Sequence, residues 1–359
     1  MQATTSLPTR HLRIGPVDIG FPAVQAALSG YSDLAMRVIS RRHGASYAVN
    51  EVVLDQVLLQ KSRKKRRYLA IADNEHPVGG QLMGANPDEF GPAAKLLAAA
   101  GYDVVDINFG CPVKKVLGRC RGGYLLSQPD TALEIVSRVR DAVPAHIPVT
   151  VKMRRGIDDS EASREKFFTI FDGVFARGAV AVTLHGRTVQ QRYIGPSRWA
   201  FLREVKQRNP ERTVLGSGDL FTAADCVAML QETGVDGLTV ARGSIGNPWI
   251  FSQVRALMAG QPLPPPPSLF EQRDVLQEHF RLAMDLDGSE LAGRQMRKFG
   301  IKYARSHPEY HQVREAFVSV KNLEEWSAVL DRWYCEDRPG VYPPMDEEAE
   351  SEGCDTANS

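Results

Sequence analysis

Short apolar runs alternate with amphipathic stretches through the first two thirds of the chain. The runs Ala45–Val53, Gly79–Met83, Val104–Phe109, Val149–Met153, Val180–Leu184, Val214–Gly216 and Leu238–Ala241 predict strands, and Phe21–Leu28 a less regular first strand. Between them, Ser32–Arg42, Pro87–Ala100, Asp130–Ala142, Ala162–Arg177, Trp199–Arg208 and Thr222–Thr233 carry apolar residues at helical spacing. Strands that alternate with helices imply a parallel sheet, and eight such units can close into a barrel. The competing solution is an open doubly wound sheet, which the lack of a GxGxxG after the first strand disfavours.

The stiff run Pro262-Leu263-Pro264-Pro265-Pro266-Pro267 reads as a linker. Beyond it, Leu269–Asp287, Leu291–Ser306, Gln312–Val320 and Leu323–Trp333 read as helices. The expected architecture is α/β: a (β/α)8 TIM barrel followed by a small, separate C-terminal helical domain. The expected division is an extension at 1–20, the barrel at 21–260, a linker at 261–268, helices at 269–335 and an acidic, disordered tail at 336–359.

Charge changes this picture. The net charge is +1, but residues 336–359 hold eight acids against Arg338, which leaves the rest of the chain at +8. A basic body suggests a polyanionic partner. Lys61–Tyr68 carries six cations in eight residues, including Lys64, Lys65, Arg66 and Arg67. It reads either as a solvated face or as a phosphate-tracking loop, with Tyr68 and Tyr193 available to stack on bases. Arg294, Lys298, Lys302 and Arg305, with Arg297 beside them, form a basic helical stripe. The five cysteines are odd in number and lack CxxC spacing, so neither a disulfide framework nor a metal site is expected, and a reducing cytoplasm is. No apolar run is long enough to span a membrane, and no secretory signal is visible.

Chemistry gathers at predicted strand ends, the rim where barrel sites form. Gln81 ends the third strand, Asn108 and Cys111 the fourth, Lys152 and Arg154 the fifth, and His185 and Arg187 the sixth. Ser217-Gly218-Asp219 and Ala241-Arg242 follow the seventh and eighth, where small residues and helix N-termini suit a phosphate. Cys111 lies where an apolar strand meets a loop containing Lys114 and Lys115, so its thiol can give a proton to an anionic substrate; a small buried hydrophobe is the bland reading. Lys152 interrupts an apolar strand and needs an anion, either an electron-rich flavin edge or an internal carboxylate.

These residues together resemble the bacterial tRNA-dihydrouridine synthases, most closely the B-type. Asn108-Phe109-Gly110-Cys111-Pro112 matches N-x-G-C-P, and Val151–Arg154, His185–Thr188 and Gly246–Phe251 match further family stretches, so the resemblance runs from about Phe21 to about Trp333. It implies FMN bound at the rim by Ala27, Leu28, Ser29, Gln81, Asn108, Lys152, His185, Ser217, Gly218, Asp219, Ala241 and Arg242. It implies hydride addition at C6 of a flipped-out uridine, protonation at C5 by Cys111, and NADPH as reductant. tRNA would be held by Lys64, Lys65, Arg66, Arg67, Lys114, Lys115, Arg154, Arg187, Arg294, Arg297 and Lys298, by a monomer. The chain departs from the family where Ala27, Leu28 and Ser29 replace P-M-A, where Ser217 replaces Asn and where Ala241 replaces Gly. Two rival readings share parts of this pattern: a flavin-dependent reductase of a free small molecule, and an RNA-binding protein without flavin.

Overall fold

The computed structural model describes residues 11–61 and 63–344. Eight parallel strands close on themselves: β1 (Ala23–Gln25), β2 (Ala48–Val49), β3 (Val78–Met83), β4 (Val104–Phe109), β5 (Val149–Arg154), β6 (Ala179–His185), β7 (Thr213–Ser217) and β8 (Gly237–Val240). β8 pairs with β1 and β2 with β3, so the sheet has no free edge and the barrel expected from the alternating pattern is formed. Closure removes the exposed strand edges that an open sheet must protect. Helices pack outside, among them α1 (Leu34–Arg42), α2 (Arg63–Tyr68) and α3 (Pro87–Ala100). The sequence writes the ends of α3 directly: Asn86 caps it through a bond from the Asp88 N–H, Pro87 opens it, and Gly101 ends it at φ 100°.

The second strand is shorter than Ala45–Val53. After Val49 the chain leaves the ladder: the Asn50 N–H still reaches Gly79 O, but the Glu51 N–H bonds to Ser32 O, and Val53–Leu54 then pairs separately with the far end of β3. Polar Asn50 and Glu51 are therefore rim residues rather than strand.

Residues 11–20 form an antiparallel hairpin beneath the barrel. Its Leu12, Ile14 and Ile19 join Val24, Tyr47, Val49, Val104, Ala181 and Leu215 in one apolar cluster. A Cβ on Gly237 would come within 2.9 Å of Leu12, so the hairpin fits tightly against the start of β8.

Past the linker, α4 (Leu269–Asp287), α5 (Ser289–Tyr303), α6 (Tyr310–Ser319) and α7 (Leu323–Trp333) pack around Phe280, Phe299, Phe317 and Trp326. This unit is not separate in its packing. Its core takes in Ala35, Met36 and Ile39 of α1, together with Ile245 and Trp249. Residues 336–344, expected in the disordered tail, are also anchored: Arg338 O accepts from Leu269 N at 2.9 Å, Val341 N donates to Ser306 O at 2.9 Å, and Tyr342 donates to Pro264 O at 2.6 Å. The rest of the tail lies outside the described residues. No helix among the described residues is long and apolar enough to cross a membrane.

Candidate active site

Parallel register sets inward-facing residues side by side across the barrel. Gln81 lies opposite Asp106, and Asp106 opposite Thr150; one layer higher Asn108 lies opposite Lys152, and one above that Arg154 lies opposite His185. Side chains alternate along a strand, so these positions all point into the mouth while Val105, Ile107, Val151 and Met153 point out to the helices.

These polar groups are joined. Asp106 accepts from Gln81 Nε2 at 2.6 Å and from Thr150 Oγ1 at 2.5 Å. Gln81 Oε1 accepts from Asn108 Nδ2 at 2.7 Å. Asn108 Oδ1 then accepts the backbone N–H groups of both Gly110 and Cys111 at 3.0 Å. The strand end is thereby turned so that Cys111, half-buried, stands on the rim. The loop that returns beneath it must be glycine. A Cβ on Gly122, at φ 57°, would meet Cys111 Cβ at 2.9 Å, and one on Gly123 would meet Cys111 O at 3.0 Å.

Lys152 stands in the mouth, half-buried, and its ammonium is pushed down to about 8 by burial and by Arg154, against the pull of Asp106 and Cys111. Burial, with Arg154, Lys152, Arg187 and Arg242 around it, pushes His185 well below the usual imidazole range. His185 is thus neutral at pH 7. Its Nδ1 accepts the Arg187 N–H at 3.2 Å, which leaves the proton on Nε2. A neutral donor beside a cation suits an electron-rich heterocycle with carbonyl or ring-nitrogen acceptors.

The loops after β7 and β8 close one side of the mouth. Gly218 has φ 111° and Asp219 φ 58°. Asp219 Oδ2 accepts from Ser197 N at 2.7 Å, and its Oδ1 pairs with Arg187 at 2.7 Å. A Cβ on Gly243 would fall 2.2 Å from Leu220 O, so the two loops touch through backbone. Ser217 Oγ donates to Thr239 O at 3.3 Å, and Arg242 lies 4.9 Å from the centre of the Tyr193 ring. Buried Thr239 Oγ1 and Ser197 Oγ have no hydrogen-bond partner among the described residues. Buried hydroxyls of this kind normally meet a ligand or water. Ala27, Leu28 and Ser29 lie on the loop between β1 and α1, where Leu28 N donates to Ser32 Oγ at 2.7 Å. This donor set fits the flavin mononucleotide implied by the resemblance: polar groups across the mouth for a ring, and close-packed small-residue loops with a neighbouring arginine for a phosphate.

The basic residues singled out from the sequence divide into two sets. Lys114, Lys115, Arg66, Arg294 and Arg297 are exposed, and Lys65 is half-buried. The side chain of Lys64 lies outside the described residues. Four others are occupied inside the protein. Arg154 donates to Gly110 O, Thr188 O and Arg192 O at 2.9, 2.8 and 2.6 Å, and so ties the cysteine loop to the loop after β6. Burial brings its guanidinium down to about 10. Arg187 holds Gly195 O and Asp219. Arg67 links the barrel to the C-terminal helices, pairing with Asp33 at 2.9 Å, with Asp287 and with Gln295 at 2.7 Å. Lys298 donates to Gly30 O and lies 4.8 Å from the centre of the Tyr31 ring.

Sequence reasoning passed over Asp106, Thr150 and Asn50. The available signal was the period of two: Asp106 shares a strand face with Asn108, and Thr150 shares one with Lys152. No group of His, Cys, Asp and Glu arranged to hold a metal occurs among the described residues.

Comparisons with known proteins bear on this geometry. In solved structures, histamine dehydrogenase from Rhizobium sp. 4-9 aligns with a TM-score of 0.56 at 16% identity, over 72% of this chain and 48% of that one. Morphinone reductase in complex with tetrahydroNAD aligns with a TM-score of 0.53 at 12% identity, over 73% and 93%. At that identity the likeness concerns the barrel fold alone. Sequence relatives reach further. A probable tRNA-dihydrouridine synthase of Mycobacterium tuberculosis is 35% identical over 90% of this chain and 85% of its own length. The tRNA-dihydrouridine synthase B of Xanthomonas campestris is 31% identical over 93% and 99%. The model of the family described as Dihydrouridine synthase (Dus) matches residues 24–336, which begin inside β1 and take in the rest of the barrel and all four C-terminal helices. The chain is an oxidoreductase and belongs to the dihydrouridine synthase family.

Proposed function

We propose that this protein reduces the C5=C6 bond of uridines in tRNA to 5,6-dihydrouridine, with FMN as resident cofactor and NADPH as reductant. One observation carries the reading: Cys111, half-buried, stands on the rim of a polar mouth, on a loop whose backbone is fixed by Asn108. FMN would supply the hydride that adds at C6 of the uracil ring. Lys152 and the Nε2–H of His185 would hold the flavin ring, with Gln81 and Asn108 beside them and Ala27, Leu28 and Ser29 on the first loop. Ser217, Gly218, Asp219, Ala241 and Arg242 would hold its phosphate.

Cys111 donates the proton to C5. A positioned acid accelerates such a step by about 10²–10⁴-fold. The uridine must leave the stack to enter the mouth, as enzymes that act on a base require. Tyr193 packs against the guanidiniums of Arg154 and Arg242 near the entrance. Phosphates of the tRNA would meet the exposed cations Lys114, Lys115, Arg66, Arg294 and Arg297, which read backbone and shape rather than sequence. Arg67, Arg154, Arg187 and Lys298 would support that surface from within.

The test is to map dihydrouridine in tRNA from cells lacking the protein. Loss of dihydrouridine at defined positions, restored by the wild-type chain and not by Cys111→Ala, is the expected result. An unchanged dihydrouridine profile would refute it. A purified protein that is colourless and takes up no added FMN would refute the cofactor assignment separately.

A further inference from the structure

We infer that Asp106 is a positioning residue for Cys111: it sets the polarity of a chain of amides, Asp106–Gln81–Asn108, that ends on the backbone of the cysteine loop. An amide side chain can point either way, because its oxygen and nitrogen differ little in size. Something must choose. A carboxylate accepts and does not donate. Asp106 therefore turns the NH₂ of Gln81 toward itself, at 2.6 Å. The Gln81 oxygen then faces Asn108 and receives its NH₂ at 2.7 Å. The Asn108 oxygen is left to face Gly110 and Cys111, whose N–H groups it takes at 3.0 Å. Each link permits one orientation, and the choice begins at the buried acid. A reversed chain would aim an NH₂ at two backbone N–H groups, and the loop that carries the sulfur would lose the acceptor that holds its two amides.

The other end of Asp106 fits the same role. Thr150 Oγ1 lies at 2.5 Å, from the strand on the opposite side, and the main chain holds the two residues in register. Hydrogen bonds from both sides keep the carboxylate in place inside the barrel, where an isolated charge would be costly. Burial pushes the Asp106 carboxyl up, and the bonds from Thr150 and Gln81, with the charge of Lys152 one layer higher on that strand, pull it back. None of these contacts requires Asp106 to touch the substrate.

The test is a double-mutant cycle read by amide hydrogen exchange of the segment containing Gly110 and Cys111, in the full-length protein without substrate. N108D puts an acceptor-only group at each end of Gln81, so one end of the chain must face oxygen to oxygen. Its expected effect is exchange about tenfold faster, because two facing oxygens push the residue at 108 off the loop it holds. D106N alone is expected to stay within about threefold of wild type, because a hydroxyl can accept as well as donate and Thr150 can turn to take the new NH₂. In D106N/N108D the chain runs consistently in the opposite sense. The amide at 106 donates to Gln81, Gln81 donates to the carboxylate at 108, and that carboxylate accepts the two backbone N–H groups.

The double variant is therefore expected to restore exchange to within about threefold of wild type, a coupling that independent sites do not show. Because Asn108 also lies beside the flavin ring, the turnover number for tRNA should fall in N108D and recover only in part in the double variant, with KM steady. A double variant as fast-exchanging as N108D, or an N108D without effect, overturns the proposal. Should N108D fail to fold, folding of the double variant decides in the same sense. The inference rests on Cys111 as the proton donor, but the exchange readout does not: a restored loop in a protein that makes no dihydrouridine would refute the function and leave the relay standing.

Discussion

The floor of the barrel, closed by the hairpin, and its mouth draw on inward-facing positions of the same strands, yet opposite chemistry fills them. Below, Leu12, Ile14, Ile19, Val24, Tyr47, Val104, Ala181 and Leu215 fill volume, and any apolar set of similar size would do. Above, Gln81, Asp106, Asn108, Thr150, Lys152, Arg154 and His185 crowd a space where each polar atom needs a named partner. The floor carries stability through area and shape. The mouth carries chemistry at a cost in desolvation, visible in Lys152 and His185, both pushed toward their neutral forms by burial. Mutations in the two layers should therefore separate stability from activity.

The sharpest break is at the rim. Cys111→Ala is expected to lower dihydrouridine formation by about 10²–10⁴-fold while melting temperature, bound flavin and tRNA affinity stay as in wild type. Substantial turnover by that variant would remove the thiol from the reaction. On the floor, Leu12→Ala should do the reverse. It should cost ~2–5 kcal/mol in urea unfolding, with the turnover number of the folded fraction unchanged at a temperature well below the transition. A Leu12→Ala protein as stable as wild type would show that the hairpin does not close the barrel.

The same contrast recurs between two neighbouring arginines. Arg67→Gln strips a partner from Asp33, Glu51 and Asp287, whose carboxylates sit 2, 12 and 8% exposed. It should cost ~3–5 kcal/mol, because buried charges are left uncompensated. Arg66→Gln, on an exposed position, should stay within about 0.5 kcal/mol of wild type and reduce the salt dependence of tRNA binding by about one phosphate contact. Equal stability losses in the two variants would dissolve the distinction between interior and surface cations.

The smallest effect is a pH slope. Burial lowers the Lys152 ammonium from 10.5 to about 8, so between those values the unfolded chain binds the proton and the folded one does not. The flavin-free protein should therefore gain stability as pH rises from about 8 to about 10.5, relative to Lys152→Met, which has no such proton. Below about 8 both states are protonated and the penalty is present in full. Parallel stability curves for the two proteins across that window would mean that Lys152 is not held in a desolvated mouth.

Much of this is legible in the sequence. Alternating apolar runs and helical stretches pointed to the barrel, and the residues at predicted strand ends converge on one rim, because in a parallel barrel every strand ends on the same side. Cys111, Lys152 and His185 could be picked out individually, since a thiol before a basic loop or a lysine inside an apolar strand is anomalous by local pattern alone. The basic residues were less readable. Arg66 and Arg67 are adjacent and chemically alike, yet one is exposed and the other is clamped among three acids drawn from positions 33, 51 and 287. No window along the chain contains that information. The anchoring of 336–344 against the linker was hidden for the same reason, because its acidic composition says nothing about the free carbonyls and amides near 264–269 and 306.

The sequence by itself determined the periodicities, hence the strands, the helices and the common rim, because side-chain direction follows from local backbone geometry. It also determined which residue types could do chemistry there. Only the tertiary structure decided partners: which cations face solvent, which are occupied internally, and how Asp106 comes to govern the orientation of Asn108. Those outcomes depend on hydrogen bonds and ion pairs a few ångströms long between residues far apart in the chain, and closing the barrel is what brings them within reach.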